Sequence, residues 1–248
     1  MVQGGARRFF VGLPRRAFLV GMLLGSALMA WVSLPYFDFE ELPAFVIEKL
    51  PLRFEELWLA SLRIHVASAL VSFPLCLVLM TRWLQRRVAW HRWLGRVAGI
   101  LMLVVMVPSG VILAFDAKGG ALVTAGFLLS ALIASGFLVQ GVFAARRREL
   151  SRHARAMRHV VGQMSVAVTS RALIVVFDTA GIDPELAYGV ALWVPVLLTV
   201  LIAELVSVRP RSIAPRFFSL LERIRREVTP LAPLRARAVA RPVPRLGR

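Results

Sequence analysis

The sequence predicts an all-α fold, a polytopic transmembrane bundle of six helices, from its hydropathy and its charge pattern. Hydrophobic residues make up 58% of the chain and its mean hydropathy is +0.71, which is more apolar than a typical soluble domain. These residues gather into continuous stretches of about 20, the length that crosses the roughly 30 Å hydrocarbon core as a helix. The stretches do not alternate with polar residues, which excludes spanning β-strands. The segments between them alternate between basic and acidic.

The six predicted spans follow one another through the 248-residue chain. They are residues 17–36, 58–82, 93–115, 121–144, 158–178 and 187–207. The first span follows basic residues, as a signal peptide does, but it has no clean Ala-x-Ala cleavage site, so we expect an uncleaved helix. The predicted organisation is a basic amino-terminal segment (1–16), a transmembrane domain (17–207) and a basic tail rich in Arg and Pro (208–248).

The positions of the basic residues predict the orientation. Of the 31 Lys and Arg residues, 26 fall before span one, between spans two and three, between spans four and five, or after span six. Most of the acidic residues fall in the other three loops. Because loops rich in Lys and Arg stay in the cytoplasm, both termini are expected on the cytoplasmic side. The membrane is expected to be a bacterial inner membrane. This distribution also explains the net charge of +17 without a nucleic-acid partner.

Two connecting segments are predicted to lie along the membrane surface. The outer loop 37–57 carries apolar residues at helical spacing. The tail carries a second such face, with arginines on the opposite side, that would lie on the anionic inner leaflet. That face is formed by Phe217, Phe218, Leu221, Ile224 and Val228. Beyond residue 229, Pro and Arg interrupt any periodicity, so we expect disorder.

Two ionisable side chains are predicted at similar depth in the outer third of the membrane. Arg171 lies about seven residues from the outer end of span five, and His65 about seven residues into span two. Such groups usually face protein or water and carry function, so a shared polar site is expected, with Arg63 as a third basic group. The partner is Asp178, Asp116 or an anionic ligand. Alternatively, Arg171 extends outward to Asp178 and His65 is a hydrogen-bonded core residue.

A second polar layer lies near the inner face. It contains His91, His153 and His159, together with Gln140, Gln163 and Glu204. These residues either face lipid headgroups or form a cofactor or proton-relay site in which two histidines face each other across spans three and five. The single cysteine, Cys76, is interpreted as a buried hydrophobic residue. No Cys/His spacing indicates a zinc site.

Two segments carry a family resemblance. "WHRWLGRVAG" (90–99) and "HARAMRHVVGQMSVAVTSR" (153–171), after a helix with one early histidine, resemble a family of predicted bacterial membrane proteins catalogued as domain of unknown function 2306. The matching positions are His65, His91, Arg92, Gly95, Arg96, His153, Met157 and Arg171. The resemblance covers about residues 60–205, implies no established activity and favours His153 over His159. Ala156 and Val97 depart from the aromatic residues of the family pattern.

Three classes of function remain open at this stage. The favoured interpretation is a non-catalytic membrane subunit, or an assembly or binding protein, with a buried His/Arg site and a membrane-protein partner or second copy. The first alternative is a redox protein that binds b-type haem or a quinone. The axial ligands of the haem would be His65 and Met106, or else His91 and either His153 or His159. Arg63 and Arg171 would bind the haem propionates. The second is a transporter of a small anion or acid. The motifs of soluble enzymes are missing from the sequence, so an enzyme is not favoured.

Overall fold

The structure, a computed structural model, describes residues 3–207, with side chains from residue 16 onward. Within that part of the chain all regular structure is helical and there is no β-strand. The bundle consists of α1 to α6, which are Gln3–Val32, Glu55–Leu79, Val88–Phe115, Gly120–Arg146, Leu150–Thr179 and Pro184–Ser207. Short helices at Leu34–Phe37, Ala44–Ile47 and Arg82–Arg86 lie in the connections. The tail 208–248, with its predicted surface helix, lies outside the described residues.

Five of these helices, α2 to α6, are long and apolar enough to cross a membrane. The protein is therefore all-helical and multi-pass in the part that the structure describes. α1 is a 30-residue helix whose side chains the structure describes only from Arg16, and the described stretch Arg16–Val32 is apolar but shorter than the other five spans. The sixth crossing therefore stays a prediction.

The helices begin before the predicted spans, whereas α1 and α2 end three to four residues before those spans do. α5 begins at Leu150 rather than near residue 158, and α3 begins at Val88 rather than near 93. Hydropathy marks only the part of a helix inside the hydrocarbon, whereas a helix ends where the backbone chemistry changes. Gly119, before α4, has φ +97° and Gly181, after α5, has φ +69°. Glycine adopts this left-handed conformation without steric cost.

The outer loop 37–57 does not form the surface helix that its apolar spacing predicts. Only one turn, Ala44–Ile47, is helical, and α2 begins at Glu55. Pro43 and Pro51 lie on either side of this turn, and proline donates no backbone hydrogen bond with which a helix could continue. The turn packs back onto the bundle, because Val46 is buried against Trp58 and Leu62.

Two apolar clusters hold the spanning helices together. The larger lies between α2, α3, α4 and α5 and contains Phe73, Cys76, Leu77, Ala98, Met102, Met106, Leu138, Val160, Val161 and Met164. The smaller joins α4, α5 and α6 through Val123, Val166, Leu192 and Val196. Cys76 is buried in the larger cluster with its thiol 3.8 Å from Met102 Sδ. The expectation of a buried cysteine is thus met.

Side-chain contacts define two ends of the bundle. At one end, Lys118 pairs with Glu48 at 3.3 Å and Arg63 bonds the carbonyl of Asp38. At the other end, Arg155 pairs with Glu204 at 2.7 Å and His153 bonds the carbonyl of Gly141. The acidic loops therefore meet at one end and the arginine-rich loops at the other. We call them the acidic end and the arginine-rich end.

Glycine spacing in α1 allows a close approach to α5 within the same chain. A Cβ atom on Gly25 would lie 2.4 Å from Val168 Cγ1, whereas a Cβ atom on Gly21 would meet nothing within 4 Å. The Gly-x-x-x-Gly pattern at 21–25 thus packs α1 onto α5 through Gly25.

We predict that Gly25→Ala destabilises the bundle and that Gly21→Ala does not. The methyl group at residue 25 must displace the stiff, branched Val168 side chain, which costs about 1–3 kcal/mol. The same methyl group at residue 21 enters open space and gains about 0.5–1 kcal/mol in helix propensity. Thermal unfolding in detergent, followed by circular dichroism, compares the two variants. Equal midpoints for both would contradict this packing.

Candidate functional site

His65 lies against an irregular turn of α3. Its Nδ1 is 2.9 Å from the carbonyl oxygen of Met106 and 3.4 Å from the hydroxyl of Ser109. Since a carbonyl can only accept, Nδ1 carries the hydrogen and Nε2 keeps its lone pair. Residues Leu101–Met106 form a π-helical turn just before Pro108. Proline removes a helical donor there, and the imidazole supplies one to a nearby carbonyl.

This contact with Met106 runs through the main chain and does not involve the thioether. Met106 is 9% exposed and belongs to the larger apolar cluster. A Cβ atom at Gly110 would lie 2.8 Å from His65 Cε1, so the absence of a side chain there makes room for the ring. The His65–Met106 pairing that the sequence suggested for a haem iron is thus a hydrogen bond between helices in the structure. It ties α2 to α3.

Arg171 does not join His65 in a directly bonded site. The side chain is exposed, and its Nη1 donates to the carbonyl of Ala167 on the same helix at 3.0 Å. Within residues 16–207 it forms no ion pair with Asp178, the partner suggested by the sequence. A guanidinium can reach back over its own helix in this way because its stem is long and its donors are several.

Arg63 is turned toward the outer loop. Its Nε donates to the carbonyl of Tyr36 at 3.0 Å and its Nη2 to that of Asp38 at 3.1 Å, while its guanidinium lies 4.0 Å from the centre of the Phe39 ring. Asp38 accepts from the amides of Glu40 and Glu41, and these bonds hold its carboxyl pKa below the ordinary value. Arg63 therefore fixes the loop onto α2, and the predicted basic pocket lacks its third cation.

The acidic end also holds a shallow pocket. It is lined by Phe45, Glu48, Lys49, Asp116 and Lys118. The Lys49 ammonium donates to the carbonyl of Asp116 and lies 5.4 Å from the Phe45 ring centre and 5.3 Å from that of Trp58. Burial lowers the pKa of Lys49, against the opposing charge of Asp116. These contacts clamp the outer loop to the α3–α4 turn.

At the arginine-rich end the structure brings His91 and His153 together. Their ring centres are 6.4 Å apart with the planes at 83°. His153 Nδ1 lies 2.9 Å from the carbonyl oxygen of Gly141, so it donates there and leaves the lone pair on Nε2. His91 Nδ1 is buried and has no hydrogen-bond partner in the described part of the chain. A buried polar atom without a partner is uncommon; in the described part of the chain, Trp58 Nε1, Ser72 Oγ and His159 Nδ1 share this condition with His91 Nδ1.

His159 lies on a different face of α5 and pairs with α6. Its side chain is fully buried, stacked on Phe137 with ring centres 3.8 Å apart, and its Nε2 is 2.9 Å from Glu204 Oε1. Arg155 holds the same carboxylate through two nitrogens. The carboxylate thus links a buried imidazole to an exposed guanidinium. Among the inner histidines, His153 faces His91 and His159 does not.

Gln163, one turn beyond His159, forms a hydrogen-bonded junction of three helices. Its Oε1 accepts from Ser130 at 2.8 Å, and its Nε2 donates to the Val196 carbonyl at 3.1 Å and to Thr199 Oγ1 at 3.0 Å. The sequence predicts Gln163 in the inner polar layer, but it does not predict the contacts of Ser130 and Thr199. Ser and Thr are common in apolar spans, and only the hydrogen-bond partner seen in the structure shows which of them join helices.

The helices and these polar contacts define a class, the polytopic α-helical membrane proteins. The sequence profile of a family described as "Predicted membrane protein (DUF2306)" matches residues 62–207, more than half of the chain. The chain therefore belongs to this family, which confirms the resemblance found in the sequence. No curated protein and no solved structure matches the chain.

We predict that Ser130→Ala destabilises the bundle more than Ser135→Ala. The first change leaves Gln163 Oε1 without its donor inside the membrane, which costs about 1 kcal/mol. The second removes only a bond from Ser135 to the Ala131 carbonyl of the same helix, and should change the free energy of unfolding by less than about 0.5 kcal/mol. Unfolding in a denaturing detergent measures both. A Ser135→Ala variant that is the less stable of the two would rule out this role for Gln163.

Proposed function

We propose that this protein is a non-catalytic, membrane-embedded binding protein that holds one metal centre between the imidazoles of His91 and His153, first of all the iron of a b-type haem. It lies in a bacterial inner membrane with the arginine-rich end, and both termini, in the cytoplasm. The positive loops at that end support this orientation. The spacing of the two rings supports the metal centre.

The distance between the rings is the observation that carries the proposal. A metal bonded to one nitrogen of each imidazole lies about 2.0–2.1 Å from that nitrogen, which places two opposed ring centres roughly 6.3 Å apart. The rings of His91 and His153 are 6.4 Å apart. The 83° angle between their planes is compatible with this geometry, because an imidazole can rotate about its metal–nitrogen bond.

The surroundings of the pair fit a metal ligand set. The Gly141 carbonyl fixes the tautomer of His153 with Nε2 as the ligating atom, which is how carbonyl partners orient metal-bound histidines. The unpartnered Nδ1 shows that the hydrogen-bonding capacity of His91 is not used up within the described chain. Imidazole suits iron, copper, nickel and zinc.

Haem rather than a bare ion is favoured by the space beside His91. Gly95 follows it by one helical turn, so the two residues share a face of α3. A Cβ atom at Gly95 would meet nothing within 4 Å. A planar macrocycle needs such room beside its axial ligand, whereas a single ion does not.

We predict that the purified full-length protein, produced with a haem supply, binds haem with a low-spin spectrum. Low-spin iron is expected because two imidazoles occupy both axial positions. His91→Ala and His153→Ala should each reduce the haem bound per chain by at least about tenfold, since each removes one of the two axial bonds. His65→Gln is the matched control, because His65 lies in the other half of the bundle. Absorption and electron paramagnetic resonance spectra measure the outcome.

Gly95→Leu separates the two kinds of metal centre. The added side chain should block haem and leave binding of a bare Cu or Zn ion, measured by titration calorimetry, unchanged. If the unmodified protein binds neither haem nor these ions, or if the His91→Ala/His153→Ala double variant keeps its metal, the proposal is wrong.

A further inference from the structure

The start of α3 carries a surface that the metal centre does not use. Trp83, Trp90 and Trp93 are 59%, 58% and 56% exposed. Trp90 and Trp93 contact each other edge to face, with ring centres 6.2 Å apart. Indole combines a large apolar ring with one N–H donor, so it suits the boundary between hydrocarbon and headgroups. The three rings place this surface at that boundary.

Four exposed arginines accompany the tryptophans. They are Arg82, Arg86, Arg87 and Arg92. Among residues 16–207 none of the four has a carboxylate partner, whereas Arg152 and Arg155 at the same end each have one. The Arg87 guanidinium lies 4.3 Å from the Trp83 ring centre. Their charge is therefore available to an anion outside this part of the chain.

An apolar stripe extends from these residues along α3. Val97, Ile100 and Val104 follow Trp93 at helical intervals and are 37%, 63% and 67% exposed. Steps of four, three and four residues keep all of them on one face of the helix. A cationic end followed by a continuous apolar stripe matches one molecule in both charge and shape, a phospholipid with an anionic headgroup and extended acyl chains.

We propose that this surface binds an anionic phospholipid in preference to a zwitterionic one. It consists of the four arginines, the three tryptophans and the stripe Val97, Ile100 and Val104. The guanidinium groups bind the phosphate and the second anionic or polar part of the headgroup, because Arg donors match phosphate oxygens in pairs. The indoles lie beside the glycerol region, and the stripe holds an acyl chain. The proposed surface contains no residue of the tail, whose arginines begin at residue 209.

Tryptophan quenching by brominated lipids tests the inference, because the residues of the surface are themselves the reporters. The full-length chain, with Trp31, Trp58 and Trp193 replaced by Phe so that only Trp83, Trp90 and Trp93 remain, is placed in phosphatidylcholine vesicles that contain a minor fraction of lipid with brominated acyl chains. Brominated phosphatidylglycerol should quench at least about threefold more per molecule than brominated phosphatidylcholine, and 1 M salt should reduce the difference. Added inorganic phosphate should not displace the lipid, because it lacks the acyl chains.

The variant Arg82→Gln/Arg86→Gln/Arg87→Gln/Arg92→Gln should quench equally with both lipids. Arg53→Gln is the matched control: Arg53 lies 5.2 Å from the Phe54 ring centre at the acidic end, and its loss should leave the preference unchanged. If the fourfold variant does not keep its helical circular dichroism, Arg86→Gln/Arg87→Gln replaces it and should lower the preference by at least about half. Equal quenching in the unmodified protein, an unchanged preference in the arginine variants, or displacement by phosphate would each overturn the inference.

Discussion

The lack of water inside a bilayer controls the placement of polar groups in this bundle. A hydrogen-bonding group in the hydrocarbon must find its partner within the protein, and each failure costs free energy. His65 and Gln163 meet this constraint by bonding to neighbouring helices. Ser109 meets it by bonding back to Val105 of its own helix. The polar side chains therefore act first as ties between helices, and a group that lacks such a tie is the more informative one.

That difference separates the histidines from one another. His65 supplies a donor where Pro108 and the π-helical turn disturb α3, so the structure explains it without a ligand. His159 bonds Glu204 through Nε2, and although its Nδ1 also lacks a partner in the described chain, its fully buried ring is stacked on Phe137, which leaves little access from outside. His91 and His153 are only half-buried and lie beside each other. Among residues 16–207, what distinguishes this pair is therefore its accessibility.

The sequence predicts the spans well because hydropathy and charge are local properties. The five long helices and the two ends of opposite charge could be found from composition along the chain. Pairing between helices could not be predicted in the same way, since equal depth does not mean a shared face. His65 and Arg171 lie at similar predicted depths, yet each bonds to a different main-chain carbonyl. The sequence predicts that His91 faces either His153 or His159, because all three lie near the start of a span at the same end, and the structure brings it to His153.

The positions of helix ends and the conformation of loops are set by residues that a hydropathy profile does not distinguish. The outer loop has the apolar spacing of a helix, but Pro43 and Pro51 limit it to one turn. Ser130 and Thr199 are residue types that occur often in apolar spans, so the sequence does not indicate that both form hydrogen bonds with Gln163. The sequence does not distinguish Gly21 from Gly25 either, because only the packed structure shows that Gly25 faces Val168. Residues of the same type thus differ in role because of the neighbouring helices they contact, and the sequence of one segment does not contain that information.

The two proposed sites share one end of the molecule for an electrostatic reason. The arginines at this end create a positive potential near His91 and His153. A positive potential favours carboxylate and phosphate groups, which are the charged parts of both a haem and an anionic lipid. Arg87 and Arg92 therefore belong to a region that attracts anionic groups. The acidic end lacks this potential, and there Arg63 and Lys49 are used to hold the loop to the bundle.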